Sequence, residues 1–129
     1  MAGNPRAAIG RVEDWREQAR GQLAHTKTFS DKEDGFSPLR PEASILRVAE
    51  AVIDAIKRDY LPIPYVTSSA DGGITFEWRK PDSRLTINIR AMGDAGYFGF
   101  REPGHIFEGE LKEGQFDFIN EVVDILLVK

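Results

Sequence analysis

The stretch "DGGITFEW", Asp71 to Trp78, sets two glycines before a strict alternation of apolar and polar residues. Successive side chains of a strand point to opposite faces, so Ile74, Phe76 and Trp78 share one face while Thr75, Glu77 and Arg79 share the other. Three large apolar side chains on one face require a core. Glu77 lies between two aromatics in sequence but points away from both, toward Arg79, Arg90 or Thr86, and reads as a solvated or salt-bridged carboxylate. Gly72 and Gly73 are expected to supply the positive φ of a reversal. The stretch is therefore the corner of a hairpin and not a catalytic loop.

The same reading extends in both directions. Upstream, "PYVTSS" leads into the turn; downstream, after "KPDS", Leu85, Ile87 and Ile89 alternate with Thr86, Asn88 and Arg90. The turns "MGDAG" and "EPGH" then precede "YFGFRE" and "IFEGELK". Short strands joined by turn-rich segments give an antiparallel meander of four to five strands. Within "GYFGF", Tyr97 and Gly99 fall on one face, and Phe98 and Phe100 on the other. One of these pairs joins the core and the other leaves a small exposed patch.

Helical spacing brackets the sheet. Val12, Trp15, Ala19 and Leu23 make a narrow apolar stripe over 11–26, read either as a helix lying on the domain's own core or as one that docks Trp15 into a partner. Ile45, Val48, Ala49, Val52, Ile56 and Tyr60 make a stronger stripe over 41–60, with Pro41 and Glu42 suited to its start and Lys57 and Arg58 to its end. "LPIP" stops that helix. Phe116, Ile119, Val122, Val123 and Leu126 share a face in the last segment, a helix of about four turns by the usual rise. The expected fold is an α+β domain over 1–129, in the order α-α-β-β-β-β-β-α. Its antiparallel sheet is packed on one face by two or three helices, and 1–10 form a tail. The segment 27–43 is polar, but Phe29, Phe36 and Leu39 should tuck it onto the core.

The composition excludes several chemistries. The 129 residues contain no cysteine, which removes disulfides, thiolate catalysis and cysteine-built metal sites. His25 and His105 have no second histidine at i+3 or i+4, so no metal site is expected. No serine stands in a strand-to-helix elbow, and "DGG" joins strand to strand without the helix N-terminus that cradles phosphate. No catalytic residue and no cofactor is assigned. A net charge of −4 with scattered Lys and Arg disfavours nucleic acid. No apolar run is long enough for a membrane span or secretory signal, and a cytoplasmic location is expected.

The residues "DGFSPLRPEASILRVAEAVID", followed by "LPIPYVTSSADGGITFEW", resemble a loosely defined set of small bacterial proteins. In these a Gly-aromatic and Pro-containing loop precedes a helix, and a proline-rich link leads to a hairpin with Glu77 and Trp78. The likeness covers roughly 33–90. It implies a bacterial or phage source and this order of elements, and it carries over no catalytic residue.

Surfaces remain as the functional expectation. Trp15, Phe36, Glu77, Arg79, Asn88 and Arg90 are the candidate binding residues, drawn from the first helix, the loop 29–39 and the outward sheet face. The first reading is a protein-binding module, of antitoxin, immunity-protein or inhibitor type, whose mild acidity suits a basic target. The alternatives are a small-ligand-binding protein or enzyme with a cleft between loop 29–39 and the sheet, and a homo-oligomeric structural subunit joined by an exposed helix or edge strand.

Overall fold

A computed structural model describes residues 14–26, 41–112 and 114–128. Helices α1 (Trp15–Thr26) and α2 (Ala43–Ala55) precede five strands: β1 (Tyr65–Ser68), β2 (Ile74–Lys80), β3 (Ser83–Ile89), β4 (Ala95–Arg101) and β5 (His105–Leu111). The strands form one antiparallel sheet in sequence order, the expected meander. A 3-10 turn (Phe116–Phe118) then enters α3 (Ile119–Val123), which continues as a π-helical segment (Asp124–Val128).

The register confirms the alternation. Val66, Phe76, Ile87 and Tyr97 line up across β1 to β4 on the inner face, as do Trp78, Leu85 and Gly99 across β2 to β4. The helices close over this face, burying Trp15, Ala19 and Leu23 of α1, Ile45, Ala49, Val52 and Ile53 of α2, and Ile119, Val122, Val123, Leu126 and Leu127 at the C-terminal end. Trp15 meets Trp78 edge-on with ring centroids 5.7 Å apart, and Phe76 stacks on Trp78 at 6.0 Å. Gly99 admits the C-terminal helix, because a Cβ there would lie 2.2 Å from Leu126 Cδ1.

The two glycines of the opening stretch do different work. Gly72 has φ of 95°, as expected of the reversal. Gly73 does not. A Cβ at Gly73 would stand 2.6 Å from the Ile89 carbonyl oxygen and 2.9 Å from Ser69 Oγ, so this glycine is required by close approach of β3.

The second helix is shorter than its periodicity. It ends at Ala55, so Lys57 and Arg58 lie outside it and Tyr60, expected on the buried face, is 89% exposed. Polar side chains from both neighbouring helices take up the backbone groups released there. Asn120 Nδ2 donates to the Ala55 carbonyl at 2.8 Å, and Asn120 Oδ1 accepts from Lys57 N at 2.7 Å. Arg16 Nη2 donates to the carbonyls of Ile56 (2.9 Å) and Arg58 (3.1 Å). With these partners in place, ending the helix leaves no desolvated carbonyl at Ala55, Ile56 or Arg58.

The C-terminal helix is anchored in a similar way. The carbonyls of Ile125, Leu126 and Leu127 accept hydrogen bonds from Arg101 Nη1, Ser83 Oγ and Lys80 Nζ. Two of the three donors are cations, which also suit the negative end of the helix. Arg58 binds Asp124 bidentately, Nε donating to Oδ1 at 2.6 Å and Nη2 to Oδ2 at 2.7 Å.

Candidate functional site

The helices cover the inner face of the sheet and leave the outer face open. Its side chains fall into three rows across the strands. The first is Thr67, Thr75, Asn88, Gly96 and Glu110; the second Tyr65, Glu77, Thr86, Phe98 and Glu108; the third Arg79, Arg84, Phe100 and Ile106. Four large apolar or aromatic side chains remain in solvent on this face: Tyr65 (60% exposed), Phe98 (44%), Phe100 (36%) and Ile106 (60%).

Charge is sorted along the face. At one end Glu77 forms ion pairs with Arg79 (3.1 Å) and Arg84 (3.8 Å), while the Arg79 guanidinium lies over the Tyr65 ring at 5.4 Å. At the other end Arg90 pairs with Asp94 (2.6 Å) and Glu110 (3.3 Å). Glu108 adds a further exposed carboxylate beside them. Thr75 Oγ1 donates to Asn88 Oδ1 at 2.8 Å between the two clusters. Hydrogen bonds to Asp94 and then Glu110 raise the Arg90 pKa, and the bond to Glu77 raises that of Arg79.

Of the candidate binding residues, Glu77, Arg79, Asn88 and Arg90 all lie on this face, with Arg90 grouped apart from Glu77. Trp15 does not. It is fully buried, with Nε1 donating to the Arg58 carbonyl at 2.7 Å, because its stripe of Ala19 and Leu23 faces the sheet. This corrects its reading as a docking residue. Phe36 and the loop 29–39 lie outside the described residues. Arg84, Ile106, Glu108 and Glu110 were not singled out by sequence reasoning, although 84 has the same parity as Thr86 and Asn88. Only the register could bring Glu108 and Glu110 beside Phe98 and Gly96.

Other cavities are shallower in chemistry. A groove of about 690 Å³ runs between α1 and β1, lined by Gln22, His25, Thr26, Val66 and Ser68 among others. The Ser68 hydroxyl is buried with no hydrogen-bond partner among the described residues. Gln22 spans the edge of β1, donating to the Pro64 carbonyl and accepting from Val66 N, both at 2.8 Å. Among the described residues, no group of three or more His, Asp or Glu could hold a metal ion, and no helix is long and apolar enough to cross a membrane.

No protein-family model matches the chain, and no solved structure matches it. Among curated proteins, the glucosamine-6-phosphate deaminase of Exiguobacterium sibiricum is 27% identical over 105 residues. The aligned part is 79% of this chain and 41% of that enzyme, so the chain spans about two-fifths of the length of the curated relative it matches.

Proposed function

We propose that this chain is a protein-binding module that docks through the outer face of its sheet, in the manner of an antitoxin, immunity protein or inhibitor. One observation carries the reading: Phe98, Phe100 and Ile106 stay exposed together on β4 and β5, with Tyr65 exposed three strands away on β1, on a face that also carries charge. Grouped aromatics with arginine beside them supply contact area at small entropic cost and are enriched in binding hot spots. A photo-crosslinking residue in place of Phe98 tests this in the native host, with Tyr60, exposed but off the sheet, as the control position. The expected result is one protein adduct from 98, lost on Ile106→Glu in a chain that still folds. Labelling at 98 no stronger than at 60 would end the proposal.

The likeness to the deaminase favours a second reading, a small-ligand-binding protein or enzyme using the α1–β1 groove with its unpartnered Ser68 hydroxyl. Glucosamine 6-phosphate at millimolar concentration would then raise the melting temperature, and Ser68→Ala would abolish the rise. The docking reading predicts no shift.

A further inference from the structure

The geometry points to a second copy of this chain as an occupant of the outer sheet face, bound face to face about a two-fold axis lying in the plane of the sheet. This inference rests on the reading of that face as a protein-binding surface and names the partner.

The strand register and the regular spacings of a sheet fix where the charged side chains of this face stand relative to one another. Arg84 on β3 and Glu108 on β5 are two strands and one row apart, about 12 Å along a diagonal, taking about 4.8 Å between strands and about 7 Å between rows. Arg79 on β2 and Glu110 on β5 are three strands and two rows apart, about 20 Å along a nearly parallel diagonal. The midpoints of these diagonals lie on one line perpendicular to the first. On a flat projection of the sheet, a two-fold along that line sets Arg84 on the partner's Glu108 and Arg79 between the partner's Glu108 and Glu110 at the same time.

The remaining side chains fit the same operation. Phe98 and Phe100 each stand about 2 Å from the axis and pack on their counterparts, and Ile106 comes over the partner's Phe100. Glu77 comes over the partner's Gly96. The missing side chain there leaves a notch of about 280 Å³, lined by Asn88, Arg90, Phe98 and Glu108 among others. Arg90 Nη2 lies 2.9 Å and Glu110 Oε1 3.6 Å from where a Gly96 Cβ would stand, so the incoming carboxylate meets a cation already shared with Asp94 and Glu110. An isologous contact needs a surface complementary to itself, and the Arg84–Glu108 pair and the apolar groups here exchange with suitable partners.

The face is small. Five strands and three rows cover about 20 by 20 Å, roughly 800 Å² counted over both partners and below the usual size of specific interfaces, so the dimer should be weak and form only at high concentration.

The test is a charge exchange read by sedimentation equilibrium from about 5 to about 500 μM, with folding checked by circular dichroism. The parent should show a concentration-dependent mass that weakens with added salt. Arg84→Glu and Glu108→Arg should each weaken association at least about tenfold, and the double variant should restore it to within about threefold of the parent. Three results would each overturn the dimer: a monomer throughout the range, association indifferent to both single variants (as pairing through the β5 edge would be), or a double variant as weak as the singles. The crosslinking at Phe98 separates this from the broader reading, since a monomer that still labels a different protein there leaves the docking function intact.

Discussion

Two tryptophans meet in the core with opposite hydrogen-bonding states, and replacing each with phenylalanine should cost very different amounts. Both are fully buried. Each Trp→Phe change removes two ring carbons, worth about 1.6 kcal/mol at about 0.8 kcal/mol per buried carbon. Trp15 also gives up its 2.7 Å bond to the Arg58 carbonyl, a further loss of about 1 kcal/mol. That carbonyl keeps its 3.1 Å bond from Arg16, so it is not left bare. Trp78 Nε1 has no partner among the described residues, and deleting it relieves about 1 kcal/mol of desolvation. The totals are about 2.6 kcal/mol for Trp15→Phe and about 0.6 kcal/mol for Trp78→Phe, a gap of about 2 kcal/mol. Urea unfolding followed by far-ultraviolet circular dichroism resolves such a gap, and in a chain of this length it corresponds to about 7 °C in melting temperature. Equal costs, or a larger cost at Trp78, would refute the assignment of the bond to Trp15. The same burial predicts that Trp15→Glu does not fold, since an unpaired carboxylate would replace a core indole.

Three further outcomes follow from the turns and caps. Gly73→Ala should destabilise by about 1 to 3 kcal/mol because its Cβ meets the Ile89 carbonyl, whereas Gly21→Ala, exposed on α1 with nothing within 4 Å, should stabilise by about 0.5 to 1 kcal/mol; urea midpoints of the two variants give the comparison. Asn120→Ala should cost about 1 to 2 kcal/mol in the same assay by removing the partner of Ala55 O and Lys57 N, and amide exchange should rise first at the end of α2. Asp71, bonded by Ser69 and by Gly73 N, has a pKa below the usual 3.8; its folded value is depressed, so the stability it adds is present above 3.8 and is lost as pH falls through the folded value. A carboxyl NMR titration should place its midpoint below 3.8 and move it up on Ser69→Ala; a midpoint at or above 3.8 in the parent would contradict the contact.

The residues nearest in sequence carried the most legible information. Alternation in 74–80 and 83–89 placed Glu77 away from Phe76 and Trp78, and the structure has it there, on the outer face with Arg79. The candidate face was half legible. Thr75, Glu77, Arg79, Thr86, Asn88 and Arg90 follow from the parity of two adjacent strands, whereas Arg84, Glu108 and Glu110 enter through register with β4 and β5. Trp15 was ambiguous because an amphipathic stripe looks the same whether its cover is the chain's own sheet or a partner.

Although five short strands allow orders other than the meander seen here, strand identity and turn positions were determined by the sequence alone, because a period of two and a turn glycine act over a few residues. Helix ends and the grouping of charges were not. The apolar period of α2 runs on to Tyr60, yet the helix stops at Ala55, where Arg16 and Asn120, 40 and 65 residues away along the chain, satisfy the freed carbonyls. Those partners come within reach only once α1 and the C-terminal helix have closed over the sheet, so the tertiary structure decides where that helix ends.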